Sequence, residues 1–271
     1  MSLVEHLQEL RRRLLISALA LMATTLGCLF FAYEPIRRFI SQPYCDVPKE
    51  RRFVPAGGGD TCALITTAPL DAFSFRFKIA IIAGLVLAAP VLLYQLWAFV
   101  TPGLHRHERR YALGFVLGST LLFAAGTAIA YLVLGTSLNV LLSFGGAGLT
   151  ALLTADKYLS FVLGLLLVFG LAFEFPLLVI MLNFAGVLPS EKLRGWRRPA
   201  LFLCFLFAGV ATPSQDPFSM LALAVPLCVL YEGSIIVARL HDRSVRRREA
   251  NAPYAALDDD ETSPLELSDA T

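Results

Sequence analysis

The chain has 271 residues, 56% of them hydrophobic and only 16% charged, with a formal net charge of +2. That balance excludes an ordinary soluble domain and describes a polytopic membrane protein. A net charge so near zero says little about partners, and what matters is where the charges fall.

Residues 1–13 form an amphipathic start. Leu3, Leu7, Leu10 and Leu14 share one helical face, with Glu5 and Glu9 at polar positions. The first span is expected over 14–32. The sequence Ala32-Tyr33-Glu34-Pro35 after it offers no small-residue cleavage site, so it reads as a retained span and not a signal peptide. Residues 33–70 read as a long polar loop rich in Pro and Gly. A second span over 75–100 is entered past Arg76 and Lys78, which can snorkel to the interface. A short basic loop over 102–111 leads to a third span at 112–134. Residues 135–157 read as a Gly-rich connection with one short apolar piece, 138–144.

The fourth span, 158–184, organises the chain. It is apolar throughout except for Glu174, and about 20 apolar helical residues already suffice to cross a bilayer. A carboxyl at that depth costs several kcal/mol unless it faces protein or water, and such acids are functional by default. The plainer alternative is a buried Glu paired with another helix. Pro176 follows two residues later and predicts a bend beside the acid.

The segment 186–199 is basic, with Lys192, Arg194, Arg197 and Arg198. The last two spans look short. Residues 200–210 give about 16 Å of helix, and the apolar stretch 218–231 about 21 Å. Neither crosses a hydrocarbon core of about 30 Å, so they are expected to thin the bilayer locally or rest on neighbours. Between them lies the turn TPSQDP. The last span is taken to close near 238, giving a membrane domain over 1–238, and the charged tail 239–271 is expected to be disordered.

Orientation follows from Lys and Arg. With six spans, the N-terminus, loops 101–111 and 185–199 and the tail carry 15 of the 23 cations, which places both termini in the cytoplasm. Arg37, Arg38, Lys49, Arg51 and Arg52 in the first outer loop oppose this, but long translocated loops tolerate such charge. Cys28, Cys204 and Cys228 lie in spans and read as packing residues. Cys45 and Cys62 share the outer loop, where oxidation is permitted, and a disulfide between them is expected.

The sequence has no Gly-rich phosphate loop, no metal-spaced His/Cys set and no nucleophilic triad at familiar spacing, so neither cofactor nor metal is expected and the chain is not read as an enzyme. His6, His105, His107 and His241 lie at the cytoplasmic ends of spans, where histidines are usually solvated. Glu9 and Glu108 also lie at that surface, each beside arginines: Arg11 to Arg13 near one, Arg109 and Arg110 near the other. Taken singly these are surface ion pairs, worth little each. Brought together, two acids would suit a paired basic motif, because Arg binds carboxylate bidentately.

Four stretches carry a family resemblance: HLQELRRRLL over 6–15, APVLLYQLWAFVTPGLHRHERR over 89–110, SFVLGLLLVFGLAFEFP over 160–176 and ATPSQDPFSM over 211–220. Together they resemble TatC, the six-span receptor subunit of the twin-arginine protein export system. The resemblance implies an all-α, concave, glove-like bundle of six transmembrane helices in the bacterial cytoplasmic membrane. It implies binding of folded cargo through an N-terminal signal with two adjacent arginines, and transport driven by the proton gradient. By matching motif positions, Glu108 binds the signal, assisted by Glu9. Arg11, Phe99 and Pro43 fall on positions the family uses, as do the intramembrane Glu174 and the outer-turn Asp216. Partners implied are single-span TatA- and TatB-type subunits, with membrane lipid and self-association expected and no nucleic acid. Two other readings compete. A proton-coupled small-solute permease would use Glu174 and Asp216, but the first three spans do not repeat in the last three, as transporter halves usually do. A purely structural scaffold would leave Glu174 without a role.

Overall fold

The computed structural model describes residues 3–48, 62, 64–66, 68–100, 109–143, 153–213 and 216–250. Among these it is helical almost throughout, with nine helices: α1 (Leu3–Phe31), α2 (Tyr33–Cys45), α3 (Asp71–Val100), α4 (Arg109–Ser143), α5 (Ala155–Ala172), α6 (Phe175–Phe184), α7 (Ser190–Gly195), α8 (Arg197–Ala211) and α9 (Pro217–Ala250). Four single helices and the α5–α6 pair are long and apolar enough to cross a membrane; α8, with 15 residues, is not. Its rise is about 22 Å, so it supplies the short segment of a six-segment plan.

The α5–α6 pair is the centre. In its most apolar stretch 56% of residues are buried, against 11% for α1. Tyr158, Leu159, Leu165 and Phe169 of α5 pack with Ile79 of α3, Leu134 of α4 and Leu223 of α9. Between lipid-embedded helices there is no hydrophobic drive to associate, so close backbone approach has to supply the packing. Small residues permit it here. A Cβ on Gly84 of α3 would lie 2.8 Å from the Thr25 Cα of α1, and Thr24 Oγ1 donates to the Gly84 carbonyl at 2.9 Å. On the α4–α5 seam, a Cβ on Gly126 would meet the Phe169 carbonyl oxygen at 2.7 Å, and one on Gly170 the Phe123 ring at 2.6 Å. Leu19, Phe30, Phe31, Leu132 and Val210 are exposed, as lipid-facing side chains should be.

Several local expectations need correction. The stretch 33–70 is not loop throughout, since residues 33–45 form α2. Its apolar face, Ile40, Pro43 and Tyr44, is buried, and Tyr131 of α4 stacks on Phe39 at 4.3 Å and donates to its carbonyl at 2.9 Å. We call the end bearing α2 the outer end. Cys45 at its close is disulfide-bonded to Cys62. The third span does not stop at 134, because α4 runs on to Ser143. Gly135 lies against Pro43, and Ser137 and Leu138 are fully packed, so the Gly costs little there. Lys78 reaches the outer start of α5, where it pairs with the half-exposed Asp156.

The final helix departs most. Residues 239–250 continue α9 and are not disordered, and the helix is not short. Several of its polar residues have partners on other helices. Glu232 accepts from Arg197 at 2.7 Å, and Ser234 donates to the Pro176 carbonyl at 3.2 Å. Asp242 accepts from the Ser190 amide at 2.8 Å and from Asn183 Nδ2 at 3.0 Å, while His241 stacks on Phe184 at 4.1 Å. These contacts carry the helix past the end of its apolar run. Residues 251–271 lie outside the described residues.

Candidate functional site

Glu174 sits in the break between α5 and α6. Pro176 has no N–H to offer the Ala172 carbonyl, so α5 ends at Ala172, and the Glu174 carbonyl restarts the ladder by accepting from Leu177 and Leu178, both at 3.1 Å. The side chain points inward and is only 7% exposed. Its Oε2 accepts from the Ser119 hydroxyl of α4, and Ser119 in turn accepts from Trp97 Nε1 of α3 at 2.8 Å. Ser119 and Trp97 are themselves buried among Leu93, Phe115, Phe123, Leu177 and Met181. Every partner is neutral. Glu174 Oε1 is buried with no hydrogen-bond partner among the described residues. Buried polar atoms are nearly always satisfied, so this oxygen keeps the capacity for a further hydrogen bond. The sequence reading named neither Ser119 nor Trp97. Trp97 lies within the motif 89–110, and Ser119 is one of the few hydroxyls in an apolar span, but nothing local links them to Glu174.

A second set of residues gathers where the start of α1 meets the end of α3. His6 stacks on Phe99 with ring centroids 4.6 Å apart. Glu9 Oε1 accepts from Arg13 Nε at 3.0 Å and from Nη2 at 2.5 Å, and Arg13 Nη1 donates to Gln95 Oε1 at 3.3 Å. Arg11 is exposed and takes no part in this cluster. Glu108 lies outside the described residues; in sequence it immediately precedes Arg109, the first residue of α4. From Arg13, Gln95 and Phe99 an apolar groove of about 290 Å³ runs past Leu14, Leu92 and Leu96 to Phe123, Leu167 and Leu171. Leu171 is three residues before Glu174, so the groove joins the level of Glu9 to that of the helix break.

The remaining residues lie towards the outer end. Asp216 is 3% exposed and caps α9, its Oδ1 accepting from the Ser219 amide at 2.8 Å. Pro43 is buried inside α2. Arg37, donating at 2.6 Å, and Arg38 behind it hold the Glu34 carboxyl down at about 2. Two of the outer cations that oppose the orientation rule therefore share a carboxylate counter-charge. No group of His, Cys, Asp and Glu suited to a metal occurs among the described residues.

The α8–α9 turn is recessed. A Cβ on Gly164 would lie 3.0 Å from Pro213 Cγ, and Gly164 is about 14 Å along α5 from its outer start at 1.5 Å per residue. Ser219 meets Ser137 at 2.5 Å, itself about 9 Å short of the outer end of α4. A spin label at Phe218, which is exposed, is therefore expected to report a depth within the lipid headgroups or below. A label fully accessible to a water-soluble relaxant, well above the headgroups, would overturn the recess.

The family model described as Sec-independent protein translocase protein (TatC) matches residues 5–226. The Sec-independent protein translocase protein TatC of Frankia casuarinae is 54% identical over 272 residues, covering 100% of this chain and 74% of that protein. That of Aquifex aeolicus is 36% identical over 249 residues, covering 90% and 97%. Among solved structures, the crystal structure of the twin-arginine translocase receptor TatC in DDM superposes with a TM-score of 0.69 at 34% identity, covering 86% of this chain and 99% of that one.

Proposed function

The chain belongs to the TatC family of Sec-independent protein translocase proteins, and from that premise we propose that it is the membrane receptor for twin-arginine signals. In this reading both termini face the cytoplasm of a bacterial cell. Glu108 and Glu9 hold the paired arginines at the inner surface, and the apolar part of the signal lies in the groove. A single-span TatA- or TatB-type helix docks near the α5–α6 break and takes the free oxygen of Glu174. Transport of the folded cargo draws on the proton gradient.

The observation that carries the reading is the alignment of three features. An acid and an aromatic ring stand at one end of an apolar groove, and a buried acid with an unused oxygen stands one helical turn beyond its other end. A signal with a basic head and an apolar body presents the same order of chemistry. The proton-coupled permease is disfavoured because its second acid, Asp216, caps α9 towards the outer end and does not line the groove.

The test is site-specific crosslinking from the α1–α3 mouth, at Phe99, to a signal peptide in Arg-Arg and Lys-Lys versions. Arg offers a planar fork where Lys offers a point charge. The Arg-Arg peptide is expected to crosslink at concentrations about ten-fold lower. Equal crosslinking of the two, or crosslinking only at the outer end, would overturn the proposal.

A further inference from the structure

Of the three consecutive arginines in α1, Arg11 and Arg12 are exposed, whereas Arg13 turns into the mouth of the groove and clasps Glu9. The pair is partly desolvated, with Arg13 at 21% and Glu9 at 26% side-chain exposure. Thus the acid assigned above to an incoming arginine already holds one. We propose that Arg13 is a built-in stand-in for the signal's guanidinium, so that recognition at Glu9 is an exchange of one arginine for another. This inference rests on the receptor reading of Glu9.

The geometry suits an exchange. Both Arg13 donors fall on Oε1, and Oε2 accepts nothing from the described residues. An arriving guanidinium can therefore begin to bond at Oε2 before Arg13 leaves. Arg13 has somewhere to go, because Gln95 on α3 already accepts from Nη1 at 3.3 Å. Gln95 is neutral, so it can keep Arg13 without adding a second anion to compete for the signal. Phe99 lines the same mouth and offers the newcomer a ring face.

Such an arrangement trades affinity for discrimination. A ligand that takes both oxygens of Glu9 must displace a guanidinium held by two N–H groups. Another guanidinium can replace that fork, whereas a lysine ammonium cannot reproduce it. Filling the site with an internal competitor rejects weak basic sequences more than it weakens true signals, since specificity is a difference of affinities.

The experiment measures equilibrium binding of a labelled signal peptide to the full chain in lipid nanodiscs, in Arg-Arg and Lys-Lys versions. Arg13→Gln is expected to tighten Arg-Arg binding about two- to five-fold, the range for releasing a partly exposed ion pair. It should tighten Lys-Lys binding more, so that the preference between them narrows. Arg13→Lys, which keeps the charge but not the fork, should fall between. In a Glu9→Gln background, Arg13→Gln should no longer tighten binding. Unchanged or weaker Arg-Arg binding in Arg13→Gln would overturn the proposal. So would equal tightening in the Glu9→Gln background, which would mean only a general loss of repulsion. The receptor reading fails separately: if Glu9→Gln alone leaves binding unchanged, Glu9 is not a signal ligand and the exchange falls with it.

Discussion

Glu174→Ala is expected to cut transport by roughly ten- to hundred-fold while leaving twin-arginine peptide binding within about two-fold of the parent. The first part follows from the orphan oxygen. Leaving a buried polar group without its partner costs about 1–3 kcal/mol, and with two such groups affected this is about ten- to hundred-fold in a binding constant. Alanine removes the bond to a docking helix and also strips the Ser119 hydroxyl of its acceptor inside a closed cluster. The second part follows from distance along the groove, because the arginine pair is assigned to the opposite end. Glu174→Gln keeps an oxygen for Ser119 and turns an amide donor outward, so it should retain much of the activity. Transport and peptide binding measured in the same membranes give the decisive comparison. Loss of peptide binding in Glu174→Ala, with no rescue by Gln, would assign this acid to the signal and not to a partner subunit.

Peptide binding should instead collapse on Glu108→Ala, by more than ten-fold. Truncating one side of a desolvated charge pair costs about 2–5 kcal/mol, much of it from the arginine left without a counter-charge. Glu108→Gln should recover little, since the amide keeps the shape and loses the charge. Glu9→Gln should weaken binding less, because part of the Glu9 charge is already spent on Arg13. Titration of the labelled peptide against each variant reads all three effects, and unchanged affinity in Glu108→Ala would reject the assignment.

Hydropathy along the chain was enough to find every apolar helix, because a membrane span is a local property of about 20 residues. The break at Glu174 was equally legible, since Pro176 removes a donor from its own helix whatever surrounds it. Local pattern misled where a polar residue had a distant partner. Glu232 and Asp242 looked like the end of a span and the start of a tail, yet Arg197, Asn183 and Ser190 satisfy them and α9 continues to Ala250. Gly135 looked like the end of α4 until Pro43 of α2 packed against it. The 11-residue span and its turn were visible as short, but the depth of that turn was set by contact with Gly164 and Ser137. The sequence by itself determined that an acid lies inside the membrane and that another stands beside arginines at the surface. Only the packing of α3 and α4 decided that the first is held through Ser119 and Trp97 by one oxygen, and that Arg13, reaching Gln95, is the arginine that closes on the second. The reason is physical: burying apolar length depends on composition alone, whereas pairing a buried polar atom depends on which side chain another helix brings within 3 Å.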